Sequence, residues 1–408
     1  MPLLRMGAFT KCAWSSLPPC RLTQGTEHLS ALSTARNTNA AFHQVLKQLD
    51  EKLAGDTADL TLIFSSMHHA DELGRIASAF LEQARTRHIL GCTGESIVGD
   101  AREVEASPAL SVWSISLPGV SIRPLRLGEP GESGIAWSEG IEDAERSAVL
   151  LLGDPFSFRT DDFLRQVNKE VRGLRVIGGM ASGSQVPRAN QLVLDGQAFL
   201  DGAVAMLLGG PLSIATVVSQ GCRPVGHTLI VTKADQNVIR ELGRRPALEA
   251  LRDMFQGLSS DDQRRIQDGL HIGRVINEYQ GSFQRGDFLV RNVMGADDSG
   301  AIQITDVVRV GQTVQFHVRD AETADEDLRS LLMASKPSGR PAGALLFTCN
   351  GRGTRLFDKA DHDVGVIHEV YGPIPVAGFF AMGEIGPIGG QNFVHGYTAS
   401  IVLFEQPA

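Results

Sequence analysis

Three short stretches hold the side chains best suited to small-molecule chemistry. Ser65-Ser66-Met67-His68-His69 is followed by Gly91-Cys92-Thr93-Gly94-Glu95. A second stretch, residues 178–183, ends in Ala181-Ser182-Gly183. The third is Cys349-Asn350-Gly351-Arg352-Gly353, with Glu384 downstream. Glycine in such loops lets backbone N–H groups close on an anion. An arginine, Arg352 or Arg355, can clamp a carboxylate through two parallel bonds. Glu95 or Glu384 can face an ammonium group. Ser65, His69, Cys92, Thr93, Glu95, Ser182, Cys349, Asn350, Gly351, Arg352 and Glu384 form the candidate set for a small ligand. The competing reading is that these glycines only permit tight sheet edges.

Catalysis by a thiol is the alternative. Cys349 would be the nucleophile, with Arg352 lowering its pKa and His368 or His395 as base. Cys92 is a weaker second choice. No local signature supports the pairing. Gly91–Ser96 lacks the central serine of a nucleophile elbow, and no phosphate-binding Gly-Lys-Ser/Thr run exists. His68-His69-Ala70-Asp71-Glu72 suggests a metal. But adjacent histidines on an extended loop point in opposite directions, and Asp71 and Glu72 are ordinary first-turn acids. No metal or cofactor is expected.

Three copies of one unit must position these residues. Each is an apolar strand, a polar loop, an amphipathic helix and a second strand running into glycines. The strands begin at residues 60–64, 149–152 and 344–347. The first helix carries Leu73, Ile76, Ala77, Phe80 and Leu81, one buried stripe. The second uses Phe163, Leu164, Val167 and Val171, the third Val364, Ile367 and Tyr371. Links of this length favour parallel pairing. Strand pairs 112–116/120–125 and 203–208/213–218 read as hairpins closed by Leu117-Pro118-Gly119 and Gly209-Gly210-Pro211. The expected fold is α/β (mixed α+β): pseudo-repeated β-α-β-β units forming mixed sheets with outer helices, in two lobes. Residues 238–255 read as a helix interrupted at Gly243 and Pro246, followed by strands at 270–277, 287–294, 302–310 and 312–318 and a helix at 323–334. Segments 128–140 and 335–343 read as linkers.

Composition narrows the function classes. The 44 glycines exceed the roughly 29 that a 408-residue chain carries at an average ~7%. A net charge of −9 without a dense basic run argues against nucleic-acid binding. Five cysteines without a Cys-x-x-Cys pair read as reduced thiols, so a cytoplasmic location is expected. Residues 1–26 carry Arg5, Lys11 and Arg21 but no acid, and read as a disordered leader or an early start, with an organelle transit peptide as the alternative. Residues 202–222 lack charge over a bilayer-spanning length, yet Gly209-Gly210-Pro211 interrupts them, so no membrane span is expected.

The order of several segments resembles the FIST family, named for F-box and intracellular signal transduction proteins. They are residues 30–34, 89–95, 219–226, 245–248, 346–353 and 376–388, and the likeness runs over about residues 29–406. The resemblance implies a sensory domain for a small ligand, with amino acids as proposed ligands. It implies a leader at 1–28, an N-terminal domain at 29–237 and a C-terminal domain at 238–408. Cys222 stands where the resemblance leads one to expect an aromatic. No F-box, kinase, cyclase or methyl-accepting segment is present. A sensor of this kind would signal through a partner protein. A scaffold that binds only proteins is a further alternative.

Overall fold

The computed structural model describes residues 28–53, 57–83, 86–128, 136–335 and 340–405. The leader, apart from His28, and parts of both linkers (129–135 and 336–339) lie outside the described residues. Three six-stranded mixed sheets make the body, and a seven-stranded antiparallel sheet makes a smaller lobe. Each body sheet is built on one parallel pair: Ala58–Ser66 with Thr86–Gly94, Ala148–Gly153 with Arg175–Met180, and Gly343–Cys349 with Val376–Ala381. These are the three repeated units of the sequence. The intervening helices, Leu73–Gln83, Thr160–Glu170 and His362–Tyr371, bury the expected stripes against outer sheet faces.

The repeat extends further than the parallel pairs. On one side of each pair lie two antiparallel strands. They are Leu110–Ile115 and Leu29–Ser33 in the first sheet, and Ala203–Gly209 and Ser121–Leu127 in the second. In the third they are Thr398–Phe404 and Ile214–Gln220. On the other side each sheet is completed by a hairpin from another copy. Ile97–Gly99 and Arg102–Val104 follow the first pair but join the third sheet. Leu192–Leu194 and Gln197–Phe199 follow the second pair but join the first sheet. Glu384–Ile388 and Gln391–His395 follow the third pair but join the second. This cyclic exchange gives the body a threefold pseudo-repeat. The inner faces meet in one core, where Phe64, Phe347 and Phe379 sit with ring centroids 5.3–6.2 Å apart. Strands covered on both faces read as continuous apolar runs, as these do.

Two expectations are corrected. Leu110–Ile115 and Ser121–Leu127 lie in different sheets, as do Ala203–Gly209 and Ile214–Gln220. Their Gly/Pro turns are corners that carry the chain between sheets, a connection that demands the same turn residues as a hairpin. The segment expected as one interrupted helix begins instead with the strand Val238–Leu242, and only Ala247–Gln256 is helical. Val238–Leu242 pairs back on Cys222–Asp235, and Gly243, at φ 59°, turns the chain. The smaller lobe spans 222–319 and is inserted between Ile214–Gln220 and the helix Ala321–Ala334.

The recurring glycines lie inside strands rather than in turns. Gly91, Gly178 and Gly378 face Ile63, Leu151 and Leu346 across the three parallel pairs. A Cβ on Gly378 would lie 1.8 Å from the Leu346 carbonyl oxygen, and on Gly178 1.9 Å from that of Leu151. Backbone against backbone leaves nothing to yield. Gly378→Ala is therefore expected to cost more than about 3 kcal/mol in urea unfolding. Gly365, in the helix His362–Tyr371 with nothing within 4 Å of a built Cβ, is the contrast. Gly365→Ala is expected to stabilise by about 0.5–1 kcal/mol.

Candidate functional site

The carboxyl ends of the three parallel pairs converge, as their common topology requires. The Ser182 N–H donates to the Thr93 carbonyl at 3.2 Å, and the Phe380 N–H to the Ser96 carbonyl at 2.9 Å. Ser182 Oγ accepts from the Glu95 N–H at 2.9 Å and donates to the Phe380 carbonyl. Thr93 Oγ1 accepts from the Gln191 N–H at 3.0 Å. Cys92 faces the common core, and burial pushes its thiol pKa up. Thr93, Ser182 and Cys92 thus hold the junction of the three units together. Ser65 Oγ and His69 Nε2 remain buried there without partners, while His69 Nδ1 lies 3.0 Å from Thr38 Oγ1. Burial, and then His68, hold the His69 pKa below its usual value.

Glu95 and Arg355, expected at opposite ends of a ligand, pair with each other. That pairing removes both from the ligand set as free charges.

The third unit is different. Arg352 is 1% exposed and holds Asp363 in a two-bond fork, Nε to Oδ2 at 2.8 Å and Nη2 to Oδ1 at 2.7 Å. Asp363 also accepts from Thr348 Oγ1 at 2.7 Å and lies 2.9 Å from His362 Nδ1. Although burial opposes ionisation, the Arg352 charge and fork hold this carboxyl well below the usual range. Phe357 stacks on His362 at 3.4 Å, and the Arg352 guanidinium lies 5.2 Å over the Phe357 ring. One nitrogen of that buried fork, Arg352 Nη1, has no partner. It lies 3.1 Å from where a Cβ on Gly221 would stand.

Glu384 is fully buried at the start of the strand Glu384–Ile388. Its Oε2 accepts from the Thr398 N–H at 3.1 Å and from Thr398 Oγ1 at 2.8 Å, while Oε1 has no partner. Burial raises its pKa to about 8, so the group is mostly protonated at pH 7. Asn350 Oδ1 and Gln220 Oε1 are also buried and unpartnered. Unpaired buried polar atoms each cost about 1–3 kcal/mol, so a group of them around one loop calls for a physical account. The smaller lobe covers this loop. Arg319 donates to the Gly351 carbonyl, and its guanidinium lies 5.6 Å over the Tyr397 ring. Tyr397, at φ 63°, accepts through its carbonyl from the Gly221 N–H at 2.7 Å.

The Cys349 thiol lies beside Glu384 and is pushed up to about 12, by burial first and then by that carboxyl. Arg352 pulls the thiol pKa down, as expected, but burial and Glu384 outweigh it. Neither proposed base hydrogen-bonds Cys349. His368 Nε2 meets the Ile374 carbonyl, and His395 Nε2 the Gly386 carbonyl, each at 2.9 Å. Among the described residues, no cluster of three His, Cys, Asp or Glu side chains is placed to hold a metal ion. No helix among them is long and apolar enough to cross a membrane.

Asp363, Thr398, Tyr397 and Arg319 were missed in the sequence. Asp363 looks like any first-turn acid, and the others lie far from the loop in the chain. The short run Asp361-His362-Asp363 was the one available signal.

The fold and the loop together define a three-unit α+β body with a cluster of buried polar side chains under an inserted lobe. Residues 59–245 match the FIST N domain and residues 247–387 the FIST C domain. The chain belongs to the FIST family, whose domains are sensory domains of signal transduction. It is 41% identical over 374 residues to an uncharacterized protein of Mycobacterium bovis, 91% of this chain and 97% of the relative. It is 40% identical over 376 residues to an uncharacterized protein of Mycobacterium tuberculosis, covering 91% and 98%. The two matched segments meet at 245–247, inside the smaller lobe.

The raised Glu384 pKa has a stability consequence. The folded state keeps this proton up to about pH 8, whereas an unfolded glutamate loses it near 4.5. Its contribution is fully present below pH 4.5 and is lost as pH rises through about 8. Glu103, raised by burial and by Asp363, acts in the same sense. His271, His317 and His395, lowered to about 4, act oppositely, but only below their usual 6.5. Between pH 6.5 and 8, wild-type unfolding free energy should therefore fall with pH. Glu384→Gln should flatten that fall by up to about 1.4 kcal/mol per pH unit, read from urea midpoints.

Proposed function

We propose that this chain is a non-catalytic sensory protein for an amino-acid-like ligand, bound at the loop 349–352. The observation that carries the reading is the pair of orphaned charge-bearing atoms, Arg352 Nη1 and Glu384 Oε1, in one fully buried region. A ligand carboxylate would take the free guanidinium nitrogen, with Asn350 and the Gly351 backbone beside it. The ligand ammonium would meet Glu384, which ionises on binding. The protonated state of Cys349 supports binding over thiol chemistry, since the thiolate is the reactive form. The location would be cytoplasmic, with a partner protein carrying the signal onward.

A thermal-shift screen of the standard amino acids tests this. A true ligand at 100 times its dissociation constant adds about 2.7 kcal/mol of stability. Because Glu384 must give up its proton, affinity should rise about tenfold per pH unit below about pH 8 and level off above it. Glu384→Gln should abolish the slope and weaken binding by about tenfold or more. No stabilisation by any amino acid, in protein freed of copurified ligand, would sink the reading. Iodoacetamide tests the thiol alternative. At neutral pH Cys349 should label more slowly than free glutathione, and faster labelling would favour an enzyme.

A further inference from the structure

A separate cleft of about 740 Å³ lies between the body and the smaller lobe. Its body wall is one side of the helix Thr160–Glu170, with Arg165 and Lys169, and the adjoining hairpin turn at 391–393. Its lobe wall presents Arg274, Arg291 and Arg309. Asp161 and Asp306 are the acids lining it. Arg165 is paired with Asp162 beside it, so five cations meet three carboxylates, still an excess of positive charge in a chain whose net charge is −9. A cleft walled by low-dielectric protein focuses such a field.

Much of this charge is not neutralised locally. Asp306 alone serves two arginines, Arg274 Nη2 at 3.3 Å and Arg291 Nε at 3.2 Å. Arg274 Nε is buried without a partner. Among the described residues, Lys169 and Arg309 have no ion-pair partner. The body wall is also held rigid. Asn168 Nδ2 donates to the Asn392 carbonyl at 2.9 Å, and the Asn392 N–H donates back to Asn168 Oδ1 at 2.8 Å. Preorganised donors lose little freedom when a ligand arrives.

We infer that this cleft is a second ligand site, for a small polyanion carrying two or three negative charges on a polar body. Guanidinium forks suit phosphate and carboxylate oxygens alike. The volume falls in the ordinary range for small-molecule sites and exceeds what a bare ion needs. The site shares no residue with the Arg352–Glu384 locus and does not depend on that reading.

Calorimetric titration with adenosine 5′-monophosphate, glucose 6-phosphate, pyrophosphate and citrate separates the possible sources. At least one should bind with a Kd below about 1 mM in about 150 mM salt. Lys169→Glu with Arg309→Glu should weaken that ligand by about tenfold or more, with melting temperature and circular dichroism unchanged. Should the double variant misfold, each single variant should still weaken binding about threefold. Arg244→Glu with Arg252→Glu, exposed residues outside the cleft, should leave it unchanged. Glu384→Gln should also leave polyanion binding intact while weakening amino-acid binding about tenfold or more. The inference is overturned if no probe binds below about 1 mM. Equal weakening by the control pair would also overturn it, because the effect would then belong to the general field.

Discussion

One buried ion pair organises the functional end of the molecule. Arg352 and Asp363 are both removed from water, at 1% and 0% side-chain exposure. A charge so placed requires nearly complete hydrogen bonding, because removing one partner of a buried pair typically costs about 3–5 kcal/mol. Satisfying the pair draws in Thr348 from the strand, His362 from the helix N-terminus and, through His362, Asp325 from the neighbouring helix Ala321–Ala334. Glu103, on the hairpin supplied by the first unit, accepts from the Val364 N–H at 2.8 Å beside it. The loop 349–355 is therefore fixed by three segments distant in sequence. The one guanidinium donor this network leaves unmet, Arg352 Nη1, is held in a fixed position by the fork.

The same exchange of hairpins explains why the three units differ in role. The strand ends of all three meet, but contacts around Thr93 and Ser182 are closed by direct hydrogen bonds. Only near Cys349 does the smaller lobe replace a neighbouring unit as the cover. Several polar atoms there, Arg352 Nη1, Glu384 Oε1 and Asn350 Oδ1, stay unmatched. A pseudo-symmetric scaffold thus supplies rigidity from its repeats, and its hydrogen bonding is least complete where an inserted lobe breaks the repeat.

Much of this architecture was legible in the sequence. The helical stripes at Leu73–Leu81 and Phe163–Val171 and the near-constant spacing from apolar strand to glycine identified three parallel units. Physical reason supports that spacing, since Gly91, Gly178 and Gly378 stand where a Cβ would strike the facing backbone. The sequence leaves ligand loops and tight sheet edges as rival readings of these glycines, because close backbone approach has one signature whether the neighbour is a ligand or a strand, and at Gly91, Gly178 and Gly378 the neighbour is a strand. The corners at Leu117–Gly119 and Gly209–Pro211 were misread as hairpins for a similar reason. Turn chemistry reports the bend, not which sheet receives the next strand. Arg352 and Glu384 were identified from their residue types, whereas Asp363 and Thr398 were not. Asp363 is brought to Arg352 by the helix His362–Tyr371, and Thr398 by the strand register that pairs it with Gln220 and sets it beside Glu384.

The junction at Tyr397 ties the Arg352 locus to the smaller lobe. Its backbone carbonyl holds Gly221, its hydroxyl donates to Asn292, and its ring packs against His271 at 4.2 Å and under Arg319. A tyrosine at φ 63° is a conformation that non-glycine residues rarely adopt, and it persists because contacts on every side over-determine it. Asn292 in turn follows Arg291, which lines the cationic cleft. Tyr397 thus joins body and lobe at the Arg352 loop, and its bond to Asn292 fixes the lobe strand whose Arg291 lines the cleft.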